Sequence, residues 1–373
     1  MNDRKITILC SGVALGVYIP ALLLEYHLRQ LGLSTDVALL EDLYHPEGKK
    51  SLEKLRGAFQ ERFDLARIAQ RMTKSMRPHL APESVNALLR TWHHEDRRDF
   101  IVWSGFWMPL LEDYRALRAP HSTYVDICRI DAKISPSFRS YQSLDTDDQE
   151  IWFWNWSEKR LEHELAVTSE TQVPFENRDD RFVIHGGGWG LGEHREVARD
   201  LEKQGICLDK VLYRQSEVEP SDGISRSFMV QPDWRPWRRE AGLKPEFPPF
   251  GEVTAGVGDG RQFVNRAEYH ELYRIIRRSR AIISKPGGGT LMDSLSSATP
   301  VVMLEPYGTA EQSNADLWKY LGFGISYEDW KKSGYDETLL AQLSDNLLNR
   351  KGETIDYPRS YAERVERRVT NNT

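Results

Sequence analysis

The apolar run Lys5-Ile-Thr-Ile-Leu-Cys10 passes straight into a glycine-containing stretch, Ser11 to Pro20, which predicts a short buried strand and then a turn. Apolar positions from Ala21 to Leu31, closed by Gly32, predict a helix, and Val37 to Leu40 predict a second strand. Strand, turn, helix and strand at such short intervals is the pattern of a parallel α/β sheet. It returns in the strand signals Phe100–Trp103, Thr123–Cys128 and Ile151–Trp156. Period-two alternation would set Trp152, Trp154 and Trp156 on one face of the last.

A second start follows. Arg181 to His185 predict a strand, Gly186 to Gly192 a turn, the residues through Lys203 a helix closed by Gly205, and Val211 to Tyr213 another strand. Six prolines between Gln215 and Glu252 argue for long loops there. Further on, helices are expected at Ala267–Ser279, Thr290–Ser297, Asp336–Leu348 and Pro358–Arg368, with strands at Arg280–Ser284 and Val301–Leu304. Two α/β units that open alike give an α/β fold of two domains, residues 1–170 and 180–350, divided at the polar stretch Val167–Asp180. A chain of 373 residues is long enough for two domains with a cleft between them.

Composition narrows the function classes. A formal charge of −6 gives no global attraction to nucleic acid or anionic membrane. Three widely spaced cysteines (10, 128, 207) form neither a disulfide framework nor a zinc knuckle and fit a reducing, cytoplasmic setting. Nowhere do about 18 uncharged apolar residues run together, so no membrane span is expected. Between Lys49 and Arg77 nine Lys/Arg, among them Lys74, stand against three acids. Such a segment can attract anionic lipid, but its charges spread around several sides, and a solvated helix face is the favoured reading.

Two glycine turns carry the candidate chemistry. Phe182-Val-Ile-His-Gly-Gly-Gly-Trp189 looks like a hydrolase oxyanion turn, yet the chain has no Gly-x-Ser-x-Gly nucleophile elbow. Dinucleotide and P-loop fingerprints are absent too. The second turn stands in a richer context. Ser284-Lys-Pro-Gly-Gly-Gly-Thr-Leu-Met-Asp293 is followed by Ala298-Thr-Pro-Val-Val-Met-Leu-Glu-Pro306 and Thr309-Ala-Glu-Gln-Ser-Asn-Ala315. A glycine turn opening a helix brings N–H groups and a positive helix end to an anion, and Lys285 adds a cation. These would stabilise a departing nucleoside diphosphate. Glu311 and Gln312 together offer acceptors and donors for sugar hydroxyls.

This ordered combination resembles the donor region of GT-B nucleotide-sugar glycosyltransferases. It is most similar to the branch holding diacylglycerol glycosyltransferases and the peptidoglycan N-acetylglucosaminyltransferase, with related natural-product enzymes. The resemblance implies two facing Rossmann-like domains, a last segment (351–373) whose helix returns to the first domain, and inverting, metal-independent hexosyl transfer from a UDP-sugar, with no cofactor. It implies donor contacts by Gly188, Lys285, Gly287, Gly288, Gly289, Thr290, Glu311 and Gln312. Phe263 and Val264, in the segment Arg261–Asn265, would pair the nucleobase edge through backbone groups. Asp293 stands where the family has glutamate, with a ribose or structural role.

On the acceptor side the resemblance points to Gly12, Gly16 and Val17, the last standing where related enzymes carry a histidine base. Valine takes no proton, so another base is needed if transfer occurs. Asp131, after the Thr123–Cys128 strand, is the leading candidate; Asp42, His45 and His121 are others. Trp107, in a strand-end loop, could stack on a small-molecule or lipid acceptor. The remaining readings are a nucleotide-sugar epimerase or hydrolase on the same fold and a non-catalytic partner subunit. Nucleic acid is not expected as a partner.

Overall fold

The computed structural model describes residues 4–71, 75–139, 148–220, 223–240, 242–255, 262–350 and 352–370. Lys74 and Arg261 lie outside the described residues. In the first half, β1 (Lys5–Cys10), α1 (Leu15–Gln30), β2 (Ser34–Leu39), α2 (Pro46–Glu61), α3 (Phe63–Arg71), α4 (Pro82–His94), β3 (Asp99–Val102), α5 (Met108–Arg118), β4 (Tyr124–Arg129) and β5 (Gln149–Trp152) follow in order. The strands form one parallel sheet, β2-β1-β3-β4-β5. Its central strands are buried on both faces, as parallel sheets require. Ile6, Ile8, Cys10 and Ile101 join the core shared with α1, while Leu9, Phe100 and Val102 pack against Trp92 of α4 and Leu110 and Leu111 of α5.

Two local expectations change. α1 begins at Leu15 rather than Ala21, because the N–H groups of Val17 and Tyr18 already close on Ala14 O at 2.9 and 3.0 Å. Pro20 lies inside the helix and forfeits one bond there, while its fixed φ suits the helix. The Trp152–Trp156 strand breaks at buried Phe153, and β6 (Trp154–Asn155) pairs with β7 (Arg160–Leu161) instead. The three tryptophans therefore do not line one face: Trp154 is 1% exposed against Trp318, whereas Trp152 lies beside Arg129.

After the short strand β8 (His163–Glu164) the second half runs β9 (Phe182–His185), α6 (His194–Lys203), β10 (Leu208–Leu212), β11 (Arg226–Val230), β12 (Phe250–Glu252), α7 (Glu271–Ile276), β13 (Ile282–Ser284), α8 (Gly288–Ser297), β14 (Val301–Met303), α9 (Thr309–Leu321), β15 (Gly324–Ser326), α10 (Tyr327–Lys332) and α11 (Glu337–Leu348). The sheet order is β12-β11-β10-β9-β13-β14-β15, parallel except for β12. The strand order reverses between β9 and β13, so the carboxyl ends of these two strands form a crevice of the kind in which open α/β sheets bind ligands. Both glycine turns leave from those ends. The proline-rich segment holds β11 and β12 and otherwise drapes over the first half: Tyr18 donates to Glu246 O at 2.7 Å, and Arg238 pairs with Glu53 at 2.7 Å.

The last elements, β16 (Ile355–Asp356) and α12 (Tyr357–Thr370), return to the first half. Tyr357 donates to Asp126 at 2.9 Å, Arg364 pairs with the same carboxylate, and Arg368 pairs with Asp99 at 3.0 Å. Burial pushes both carboxyls above the usual carboxylate range, against the pull of these arginines. Removing one partner of a buried pair leaves an uncompensated charge. Arg364→Ala should therefore lower unfolding free energy by about 3 kcal/mol in urea denaturation near neutral pH, whereas Tyr357→Phe should cost only about 1 kcal/mol.

Candidate active site

The chain leaves β13 through Lys285 and Pro286 and enters α8, with Gly287 as N-cap and no side chain capping the helix. Open N–H groups at a helix start favour an anion. None of Gly287, Gly288 and Gly289 has positive φ, so these glycines serve close approach rather than an unusual backbone. A Cβ on Gly288 would lie 2.4 Å from Ile130 O, and one on Gly289 would lie 3.5 Å from Gly16 Cα. The start of α8 thus meets the backbone of the first half directly. Thr290, one residue on, is buried.

Lys285 is 6% exposed. Its Nζ lies 3.4 Å from Glu311 Oε1 and 5.6 Å from the centre of the Tyr307 ring. Glu311 Oε2 accepts the Tyr307 N–H at 2.6 Å, which fixes the carboxylate. The other glycine turn closes over the lysine: a Cβ on Gly192 would lie 3.3 Å from Lys285 Cδ, and Gly187 and Gly192 both take positive φ. Tyr213 fastens this turn by accepting from Gly186 N–H at 3.0 Å and donating to Gly187 O at 2.6 Å. Gly188 faces the first half, where a Cβ would meet Leu15 Cβ at 2.7 Å.

His185, at the end of β9, is buried and held neutral, its pKa pushed down to about 3 by burial and then by Lys285. Its Nδ1 accepts from Gly187 N–H at 3.1 Å, with Ser284 Oγ at 3.2 Å, which assigns the ring proton to Nε2. Asp293, on the second turn of α8, lies 3.0 Å from His270 Nε2.

Asp131 follows β4 and reaches across to the second half, where Asn314 Nδ2 donates to its Oδ1 at 2.9 Å. Burial pushes its carboxyl up to about 6; the Asn314 hydrogen bond opposes this and the Glu311 charge adds to it. A carboxyl with that pKa changes protonation near physiological pH and is suited to proton transfer. Asn314 has no role of its own in the sequence motif, and neither Tyr307 nor Tyr213 is marked by it. Asn314 was findable, since it lies one helical turn beyond Glu311 and so shares its face.

Other expected contacts fall elsewhere. Trp107 is fully buried, donates from Nε1 to Cys10 O at 2.8 Å and packs on Trp92, so no acceptor can stack on it. Its position just after a strand suggested a loop, but it begins the turn into α5 and fills the core. Val264 donates its N–H to Phe250 O at 2.9 Å and accepts the Phe250 N–H at 3.0 Å, which leaves a base edge no donor there and only the second lone pair of its carbonyl. Phe263, its neighbour, packs beside Gly251. Gln312 is on the exposed face of α9 and donates to Asp316 at 2.8 Å, one turn away rather than into the crevice. Val17 packs half-buried against the core while Gly16 remains exposed.

Gly12 contributes a closed turn. Its N–H donates to Glu41 at 2.7 Å, Ser11 Oγ donates to the same carboxylate at 2.5 Å, and a Cβ there would collide with Pro236 at 2.6 Å. The first glycine turn therefore holds an internal carboxylate. Asp42 is likewise engaged, by Arg239.

This arrangement occurs on a known fold. MurG of Acinetobacter baumannii superposes with a TM-score of 0.52 over 98% of this chain and 100% of that one, at 10% identity. The calicheamicin glycosyltransferase CalG4 gives 0.51 over 100% of both chains, at 13% identity. No protein-family model matches the sequence, and no curated protein matches it. The fold is the GT-B fold of nucleotide-sugar glycosyltransferases, with two Rossmann-like domains. Among the described residues no helix is long and apolar enough to cross a membrane.

The Asp131 carboxyl gives a pH-dependent test. Its folded value of about 6 exceeds the ordinary 3.8, so its contribution favours folding fully below about 3.8 and is lost as pH rises through about 6. Asp131→Asn cannot ionise and keeps an oxygen for Asn314. At pH 7.5 it should be more stable than the parent by about 1–3 kcal/mol in urea denaturation, with the difference shrinking toward pH 5.

Proposed function

We propose that the protein is an inverting glycosyltransferase that moves a sugar from a nucleoside diphosphate, UDP by resemblance, to the hydroxyl of a small-molecule or lipid acceptor. Residues 180–350 would hold the donor and residues 1–170 the acceptor, in the cytoplasm. The observation that carries this reading is the crevice at the β9/β13 switch point. There an uncapped helix start and a buried lysine held by Glu311 converge, and Asp131 faces them from the other half.

In the proposed reaction the N–H groups of Gly288 to Thr290 and the Lys285 ammonium stabilise charge on the departing diphosphate, where a preorganised dipole and a cation act most strongly. They supply the positive charge themselves, so the mechanism calls for neither a metal nor a cofactor. Asp131 takes the acceptor proton as the oxygen attacks the anomeric carbon from the opposite face. Glu311 releases part of its hold on Lys285 to the donor and accepts from a sugar hydroxyl. Ile130 O and Gly16 cover the start of α8, so donor entry requires the two halves to part at that contact. The binding-competent state is then an opened one.

Millimolar UDP or dTDP should raise the melting temperature by several degrees through ligand linkage, and Lys285→Ala should remove most of that rise. If neither nucleotide stabilises the parent protein, the donor assignment is wrong. With UDP-glucose and a panel of phenolic and diglyceride acceptors, Asp131→Asn should lower turnover by about 100-fold or more. Consumption of the sugar nucleotide without any acceptor would point instead to hydrolysis or epimerisation.

A further inference from the structure

The candidate base and the donor turn belong to different halves of the chain, yet one fully buried side chain holds both. Asn314 lies on α9, one turn beyond Glu311, and is 0% exposed. Its Nδ2 donates to Asp131 Oδ1 at 2.9 Å and to Pro286 O at 2.8 Å, while its Oδ1 accepts the N–H of Ala132 at 2.7 Å. Both amide hydrogens are therefore used, one on each half. Aspartate has this size but no donor when ionised, and glutamine carries the same amide one methylene further out.

We propose that Asn314 is a positioning residue that fixes the Asp131 carboxyl of the first half relative to the Lys285–Thr290 turn of the second, and so sets the distance from base to anomeric carbon. The inference rests on the reading of Asp131 as the base. The charged groups facing Asp131 are Glu311, on the same helix as Asn314, and, through Glu311, Lys285 at the end of β13. Glu311 disfavours the ionised carboxylate, and the Asn314 N–H favours it by direct donation. Two consequences follow from deleting the amide. Asp131 loses the donor that stabilises its charge, and the Ala132 N–H loses its acceptor.

The test uses the full chain with aspartate labelled at the side-chain carboxyl carbon, the Asp131 signal being the one missing from Asp131→Asn. Titrated by NMR, Asn314→Ala should shift the Asp131 midpoint upward by about one pH unit, and amide exchange at Ala132 should accelerate at least tenfold. A role confined to core packing would move neither readout at this site while lowering the melting temperature. If the alanine variant does not fold, Asn314→Asp keeps the size and the acceptor for Ala132 but faces Asp131 with a negative charge, and should shift the midpoint further in the same direction. An unmoved Asp131 midpoint in a folded variant, or unchanged exchange at Ala132 in Asn314→Ala, overturns the proposal. The base reading fails separately: undiminished turnover of UDP-glucose by Asp131→Asn would remove Asp131 from the chemistry whatever the titration shows.

Discussion

The two halves of this chain meet backbone to backbone, and the packing around the crevice follows from that closeness. Ile130 O lies where a Cβ on Gly288 would be, Gly16 approaches Gly289, and Leu15 fills the space beside Gly188. Glycine stands on one side of each contact because a Cβ there would press on the facing half. Atoms that cannot interpenetrate leave little latitude in how the halves dock. Groups carried by β4 and by α9 can then be held within hydrogen-bond distance of each other.

Within that frame, charge is passed along a short chain of buried and half-buried groups. Lys285 is balanced by Glu311, Glu311 is fixed by the Tyr307 N–H, and Asp131 feels Glu311 while taking a hydrogen bond from Asn314. Buried charges are tolerated when each has a partner. The neutral His185 beneath the lysine adds no competing positive charge.

The parallel sheets, both glycine turns and the Lys285–Thr290 assignment to a helix start were legible in the sequence because each depends on neighbours along the chain. Asp131 was legible as a strand-end acid. Three kinds of information were not. Trp107 looked like a loop residue because its indole partner, Cys10 O, is far away in sequence. Gln312 looked equivalent to Glu311 because a motif lists residues in order, whereas a helix turns by about 100° at each step and sends them to different faces. Val264 has spent its N–H on Phe250, which local propensity does not reveal. The place of Asn314 was in the quoted motif, but its meaning came from Asp131, in the other half.

The return of α12 has a consequence for how the protein is made. Asp126 and Asp99 lie deep in the first half, and their arginines follow 238 and 269 residues later in the chain. Synthesis proceeds from the N-terminus, so the five-stranded sheet emerges from the ribosome well before Arg364 and Arg368 exist. Until then Asp126 lacks its Arg364 partner, and Asp99 has only the more distant charges of Arg4 and Arg98 to offset its burial. The first half is made before α12, and two of its buried ion pairs can close only after that helix has been synthesised.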